Sequence, residues 1–512
     1  MLFFNNAVFG QLVKIVNEVT LEPVENVALY SRDKSVSAIS NQYGEVNLSR
    51  FATSDSLCFQ HSGYEHLCTT RDNLLQNGMV KLRRRNVLIE EFVISAYKLK
   101  EQKQNVPYRI DIINASQLKT EVDGNSADVL EQTGNIAIQK SQGGGGSPII
   151  RGFEANRVLL VVDGVRLNNA IFRSGHLQNA LTIDNLMLDR VEVLYGPGST
   201  VYGSDAIGGV VHYFSRDPEL SLSDSLLIRA NAIYKYATAT NSHVSGFGFN
   251  LGGNRLASLT HVSYKHFGDI TMGSFRNPYY EDYGKVPFYA KELTVKILLI
   301  RNSNALSQPF TGYNQIDLLQ KFIWKPYPNS YFTTNIQYST SGKLHRTETL
   351  NDWTNTGHPE FAEWYYGPQN RLLVSQRFTH DANRGIYDEL IAQVAFQDID
   401  EERVSRQFNS TALLTQHEDL QVYAVNIDMY KDFTAQHRLN YGCEATYNQL
   451  SSAAFGKDIM LGSTWQEVTR YPNGNNYTFT VSGYLAHRIN LNKAIKLTSW
   501  FALYKQPAIF FV

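Results

Sequence analysis

The chain has 512 residues, 43% hydrophobic and 19% charged, with 47 Lys+Arg against 48 Asp+Glu and a formal net charge of -1. That length holds two or three domains, and the balanced charge lacks the basic footprint that neutralises phosphates, so no nucleic-acid partner is expected. No apolar run reaches 18 residues, which excludes a helical membrane span and leaves a membrane barrel open.

Met1 to Gly10 carries an apolar patch without a basic flank or a small-residue cleavage site, so it does not read as an intact signal peptide; either the start is trimmed or the protein is not exported. Residues 10 to 83 alternate apolar and polar positions between turn signals, the pattern of a small all-β domain. Val27 and Leu29, Val46 and Leu48, and Leu57 and Phe59 are its inward positions, with a hairpin turn expected at Asn41-Gln42-Tyr43-Gly44 and a loop at Ser62-Gly63-Tyr64. Cys58 and Cys68 lie ten residues apart and Cys443 stands alone, which supplies neither paired Cys-x-x-Cys zinc ligands nor a disulfide-rich scaffold. One Cys58 to Cys68 bridge and two buried thiols both remain open. Residues 84 to 110 read as an extended linker or as an edge strand of the first domain. Thr120 to Thr133 reads as a helix capped by Asp123 or Ser126, with Val129-Leu130 on its apolar face.

Four pieces of the first domain, Gly10-Gln11-Leu12-Val13, Glu22 to Val27, Asn41 to Leu48 and Phe59 to Tyr64, occur in an order that resembles a carboxypeptidase-regulatory-like β-sandwich. Such a domain precedes many outer-membrane receptors of the Bacteroidetes type. Gly143 to Gly146 with Ser147-Pro148 has no following Gly-Lys-Ser/Thr, so a phosphate-cradling loop is not expected. Ile149-Ile150-Arg151-Gly152-Phe153, then Arg157 to Arg166, then Leu188 to Val211 read as strand, turn and buried strand in alternation. This ordered series resembles the plug of TonB-dependent outer-membrane receptors. Pro148 to Phe153 with Val162 to Arg166 is similar to the haem, siderophore and colicin-receptor branch, and Asn168 to Asn179 to haem or haemoglobin receptors.

Beyond Asp217-Pro218, where all five Trp lie, strands become two-sided. Leu439, Tyr441, Cys443, Ala445 and Tyr447 share one face, and Asn440, Gly442, Glu444, Thr446 and Asn448 the other. Tyr477, Phe479 and Val481 likewise oppose Thr478, Thr480 and Ser482, and Phe332, Ile336 and Tyr338 oppose Thr333, Asn335 and Gln337. A soluble sandwich alternates too, but polar residues in mid-strand and aromatics at strand ends favour a wet lumen inside lipid. The expected fold is all-β dominated: a β-sandwich over 1–85, a mixed α/β plug over 86–217, and an antiparallel transmembrane barrel over 218–512. At roughly 20 to 25 residues per strand and connection, the last segment supplies about 12 to 14 strands, against about 22 in the resembled family, which reads as a fragment. Lys496 to Tyr504 is ambiguous between helix and strand.

The resemblance implies a Ton box, and Glu91, Phe92, Val93, Ile94, Ser95, Ala96 and Tyr97 fit it in position and β-propensity, since strand addition to TonB relies on main-chain pairing. Arg151, Asp163, Arg166 and Glu192 are candidates for plug-to-wall contacts. Axial ligands for haem would come from His176, His345 or His358, although the Phe-Arg-Ala-Pro and Asn-Pro-Asn/Asp-Leu motifs of haem receptors do not occur. Glu363 to Gln369 reads as strand re-entry at an aromatic girdle. No Gly-x-Ser-x-Gly, His-Glu-x-x-His or carboxylate pair supports an enzyme, and no resident metal or prosthetic group is expected; haem enters only as a transported ligand. The implied partners are TonB with its inner-membrane energising complex, outer-membrane lipid, and an iron-bearing small molecule or haem protein. The implied function is active uptake in the outer membrane of a Gram-negative bacterium, with plug and first domain on the periplasmic side. The alternative is a truncated product whose sandwich and plug act only as a periplasmic binding module.

Overall fold

The computed structural model describes residues 12–52, 56–83, 92–120, 125–141, 143–171, 180–293, 296–382, 385–492 and 495–511, and divides into two compact units, 1–90 and 91–512. In the first unit, Leu12–Asn17 pairs with Glu45–Asn47 and Met79–Leu82, while Ser37–Ile39, Ala28–Ser31, Ser56–Gln60 and Leu67–Thr70 form a second sheet. Val27, Leu29, Val46, Leu48, Leu57 and Phe59 are all nearly inaccessible and share one core with Ile15 and Phe51, so the period-2 pattern located the inward face correctly. Asn41 to Gly44 is a tight turn, with Gly44 N–H donating to Asn41 O at 2.9 Å, but it does not close a hairpin. The strands on either side of it belong to different sheets, so this turn carries the chain across the core. Cys58 and Cys68 sit opposite each other on neighbouring strands and are bridged, which settles the choice left open by their spacing.

The second unit opens with a five-stranded sheet in the order Arg109–Asn114, Leu188–Tyr195, Gly209–Ser215, Val158–Val162, Val165–Arg166. Val158–Val162 runs parallel to Gly209–Ser215 and is buried at all five positions, which is why it reads as a continuous apolar run instead of alternating. The helix expected over Thr120 to Thr133 is a 3-10 helix over Asp128–Thr133, preceded by a short α-helix at Ala115–Thr120. Val129 and Leu130 are buried as expected. Asp123 lies outside the described residues, and Ser126 caps nothing: its hydroxyl donates to Ala180 O at 2.5 Å, while Asn125 Oδ1 accepts from Ala127 N–H at 2.8 Å. The segment 84–91 is also outside the described residues, but from Phe92 onward the chain is packed into the second unit and is no free linker.

Around this plug runs an antiparallel wall. Its eleven long strands among the described residues pair in chain order from Leu227–Ala237 to Lys496–Phe511, and three short ones, Leu344–His345, Phe361–Tyr366 and Thr464–Gln466, attach beside them. The ambiguous tail is therefore a strand, and among the described residues no pairing joins the first long strand to the last. Phe247, Phe249, Val262, Tyr264, Phe322, Trp324, Val394, Tyr423, Val425 and Phe479 are exposed on the outer face. Asn250, Ser263, Lys265, Gln315, Asp317, Lys321, Asn335, Gln393, Gln397, Asn440 and Glu444 are buried on the inner one. This inside-out pattern is the one a strand needs between lipid and a wet interior. No helix is long and apolar enough to cross a membrane. Glu389–Gln407, Ala412–Thr434 and His437–Asp458 have 19, 23 and 22 residues, twice the roughly 9 to 11 that span a bilayer, so they project beyond it at the end bearing the long connections.

Gly143 and Gly144 have a packing role. A Cβ on Gly144 would lie 2.9 Å from both Leu344 and Tyr313 of the wall, so the glycine run brings plug backbone against the wall. Leu160, at the centre of the plug sheet, is fully buried. Leu160→Ala should cost roughly 2–5 kcal/mol, read as a lower urea concentration for the onset of proteolysis within the plug.

Candidate functional site

The turn Asp163-Gly164 joins Val158–Val162 to Val165–Arg166, and both residues have positive φ, 48° and 85°. Asp163 is buried, and its carboxylate accepts from Ser215 N at 2.9 Å and Ser215 Oγ at 2.5 Å within the plug, then from Asn335 Nδ2 and Gln337 Nε2 of the wall, each at 2.9 Å. Lys321 Nζ stands 3.4 Å away, and the Asp163 carbonyl accepts from Arg377 and from Gln393 Nε2. A Cβ on Gly164 would sit 2.7 Å from Gln393 Oε1, so glycine serves both the turn and the approach to the wall. Asn426 Nδ2 donates to Gly164 O at 3.3 Å, so the turn is also the point at which the plug is bolted to five wall strands.

Arg166 provides the second bolt. Its Nε donates to Glu444 Oε1 at 2.8 Å and its Nη1 to Asp205 Oδ2 at 3.0 Å. The other oxygen of Glu444 accepts from Lys98 Nζ at 2.7 Å, and Lys98 lies over the rings of Tyr202 and Tyr484 at 5.2 and 5.7 Å. Burial alone would lower the Lys98 value; Glu444 and Asp428 reverse this and raise it. Glu101 is the third bolt, paired with Arg438 at 3.1 Å and with Arg488. Lys98 and Glu101 belong to one N-terminal strap, Phe92 to Gln102, folded back so that Phe92–Val93 pairs with Glu101–Gln102.

Glu192 holds the other limb of this strap. Its carboxylate is fully buried, with Oε2 accepting from Ile94 N and Ser95 N at 2.9 Å each and Oε1 from Arg190 Nε at 2.9 Å. Val93, Ser95, Ala96 and Tyr97 are almost wholly inaccessible, and burial pushes the Tyr97 phenol up to about 12. The strap lies at the end of the wall with the short turns, beside a hollow of about 960 Å³ that Phe92, Glu101, Tyr430, Asp432, Arg438 and Arg488 help to line.

Of the four residues expected at the plug-wall contact, Asp163 and Arg166 reach the wall. Glu192 clamps the strap inside the plug, and Arg151 is exposed, with its guanidinium 5.9 Å from the Tyr195 ring. Glu91 and His176 lie outside the described residues. His345 is flanked by the rings of Phe310 and Tyr365 at 5.2 and 5.5 Å, and its Nδ1 is covered without a partner. His358 is engaged by Thr354 Oγ1 and Thr356 Oγ1 at 3.3 and 2.9 Å. Trp364 and Tyr365 do not form a lipid girdle: both are buried, and the guanidiniums of Arg346 and Arg403 lie over the Trp364 ring at 5.0 and 5.3 Å. The contact roles of Lys98, Glu101, Lys321 and Glu444 were not read from the sequence, although Glu444 was placed on the polar face of its strand; the only signal was such placement, or a position between two β-prone segments.

A polar-lined wall with an apolar outer face, closed by a plug that charged side chains bolt in place, defines a plugged membrane-barrel architecture. Residues 102–210 match the family model for the TonB-dependent Receptor Plug Domain, so the chain carries such a plug. The chain is similar to the Vitamin B12 transporter BtuB of Vibrio vulnificus (strain CMCP6), 34% identical over 131 residues, which are 25% of this chain and 21% of that protein. It is also similar to the Hemin receptor of Yersinia enterocolitica, 29% identical over 164 residues, 31% of this chain and 23% of that one. Among solved structures, the copper transporter OprC aligns at a TM-score of 0.59 and 12% identity, covering 77% of this chain and 54% of the other. A ferric enterobactin receptor (PfeA) of Pseudomonas aeruginosa aligns at 0.53 and 13%, covering 78% and 59%. These structures establish the likeness of fold.

Glu444→Ala leaves Lys98 and Arg166 buried without their carboxylate and should loosen the plug by roughly 3–5 kcal/mol, measured as protease access to the strap across a urea series. Asp163 should give a pH signature. Burial opposes its charge, but Lys321, the Ser215 hydroxyl and Arg377 outweigh it, so its carboxyl titrates below its ordinary value. A lowered native value stabilises the charged, docked form above the unfolded value of about 3.9 and is lost as pH falls through the native one. Plug retention should therefore be level from about pH 7 to 5 and fall below about pH 4, and Asp163→Asn should remove this carboxylate's part of that fall.

Proposed function

We propose that this chain is the body of a TonB-dependent outer-membrane receptor that takes up an iron-bearing ligand, haem or a siderophore, from the side of the long connections. The observation that carries the reading is the strap Phe92 to Gln102 at the short-turn end of a polar-lined wall, where charged contacts at Glu192, Glu444, Arg438 and Arg488 and the buried side chains of Val93, Ala96 and Tyr97 hold it. Short turns characterise the periplasmic end of such barrels, so the strap faces the periplasm. Phe92 to Tyr97, with Glu91 before it, is the Ton box. In the resting arrangement it is clamped by Glu192, and pairing with TonB requires its release, because strand addition needs free main-chain groups. Residues 1–85 serve as a carboxypeptidase-regulatory-like sandwich of the Bacteroidetes type, supported by two sheets around one core. For haem, His345 is the better-placed ligand, since both ring nitrogens of His358 already have partners.

One observation favours the other reading, a periplasmic binding module. The strands Leu227–Ala237 and Lys496–Phe511 each leave one edge without a ladder partner among the described residues, and lipid does not tolerate open edges. Fractionation separates the two readings, since a barrel stays with the outer membrane and a module washes out. Transport is tested in energised cells with iron-55 haem and an iron-55 siderophore. Deleting Phe92 to Tyr97 should abolish accumulation while leaving surface binding intact, and dissipating the proton gradient should do the same to the parent. Accumulation that survives the deletion refutes the Ton-box assignment.

A further inference from the structure

The first unit holds a group of donors that transport does not use. Cys58 and Cys68 face each other across neighbouring strands, and His66 precedes the second strand by one residue. The two Sγ atoms and one ring nitrogen of His66 lie within 4.8 Å of one another, the only such metal-capable group among the described residues. His66 Nδ1 is 3.7 Å from Cys68 Sγ, and the opposite ring nitrogen, Nε2, is 2.8 Å from the Tyr30 hydroxyl. Cys68 and His66 are exposed and Cys58 is buried.

We propose that this group is a redox-gated metal site, closed while Cys58 and Cys68 are bridged and opened by a dithiol reductant to bind a borderline or soft cation such as Zn(II). The reductant's two thiols pass two electrons and two protons to the bridge: its own disulfide forms, the Cys58–Cys68 bond breaks, and two thiols result. Metal binding then displaces their protons, so affinity rises with pH. Three features carry the assignment. First, a tetrahedral cation with bonds of about 2.3 Å to sulfur and 2.0 Å to nitrogen sets its sulfur and nitrogen ligands about 3.5 Å apart, close to the present 3.7 Å between Cys68 Sγ and His66 Nδ1. Second, the sulfurs must part to about 3.8 Å, which side-chain rotation of the exposed Cys68 can supply on a fixed backbone. Third, ligating histidines characteristically bond a second group through the ring nitrogen that does not bind metal, and Tyr30 already occupies that position. Three protein donors on an exposed surface leave the fourth position to water or an external ligand.

The test uses the full chain in detergent, with Cys443→Ser removing the third thiol. After reduction by a water-soluble phosphine and its removal under nitrogen, Co(II) is titrated as a spectroscopic probe and then displaced with Zn(II). One equivalent should develop sulfur-to-cobalt charge-transfer absorption and the visible bands of a tetrahedral centre, and the bridged protein should show neither. Tyr30→Phe should weaken binding roughly tenfold, and His66→Ala should weaken it further and alter the visible bands. Absence of the charge-transfer band after confirmed thiol release overturns the proposal. So does a His66→Ala variant that matches the parent, which would mark an adventitious dithiol, or equal binding by the bridged form.

Discussion

Every long strand of the wall must satisfy two solvents at once, and the rest of the second unit depends on how it does so. One face meets an apolar surrounding, and the other carries amides, hydroxyls and charges whose burial is tolerable only if they are paired. The plug supplies those partners. Asp163 meets Asn335, Gln337 and Lys321, and Arg166 and Lys98 share Glu444. Plug and wall are each incomplete alone: the plug would expose its charged turn, and the wall would leave arginines, lysines and carboxylates facing an empty lumen.

The seal combines these bolts with apolar patches, where Leu181 and Leu186 pack with Val244, Phe267, Tyr313 and Leu344, Ile171 with Ile399, Leu420, Val422 and Leu450, and Met187 with Leu259 and Leu319. Apolar contacts are non-directional and grow with area, so an apolar plug would be held by its whole perimeter. Buried ion pairs gain little net stability over an apolar packing of the same volume, yet breaking one by removing a single partner is costly. A plug held by them is therefore fixed in one register, while water entering the interface can take over the same hydrogen bonds. The bolts thus add direction to the cohesion that the apolar patches supply.

The sequence conveyed the architecture better than the site. Alternation at Arg438 to Asn448 and Tyr477 to Ser482 separated lumen from outer face residue by residue, because side-chain direction in a strand has a strict period of two. The uninterrupted run Val158–Val162 located the buried plug strand for the complementary reason, having no exposed face. Partner choice has no period. Nothing local tells that Glu444 will meet Lys98, 346 positions away, or that Glu192 will face inward to the backbone of Ile94 and Ser95. Trp364 misled in the same way: an aromatic before a strand suggests a lipid girdle, but two guanidiniums brought there by separate elements bury it. The glycine run had no signature of its packing role either, since closeness of backbone to wall and closeness of backbone to phosphate select the same residue.

The geometry of the strap gives this seal a direction. From Phe92 the chain meets, in order, the short pairing with Glu101–Gln102, the Glu192 carboxylate at Ile94 and Ser95, Glu444 at Lys98, and the two arginines at Glu101. These holds lie along one thread, so tension applied at its N-terminal end loads them largely one after another. Contacts loaded in series fail one at a time, and the barrier at any moment is that of a single hold. Loaded from the plug side, where Asp163 and Arg166 engage several wall strands together, the same kind of contacts would share the load and fail only as a group. The strap can therefore peel under a pull that leaves the deeper bolts intact. Lys98 is then the link by which a sustained pull, once the clamp at Glu192 has opened, reaches the Glu444 contact shared with Arg166.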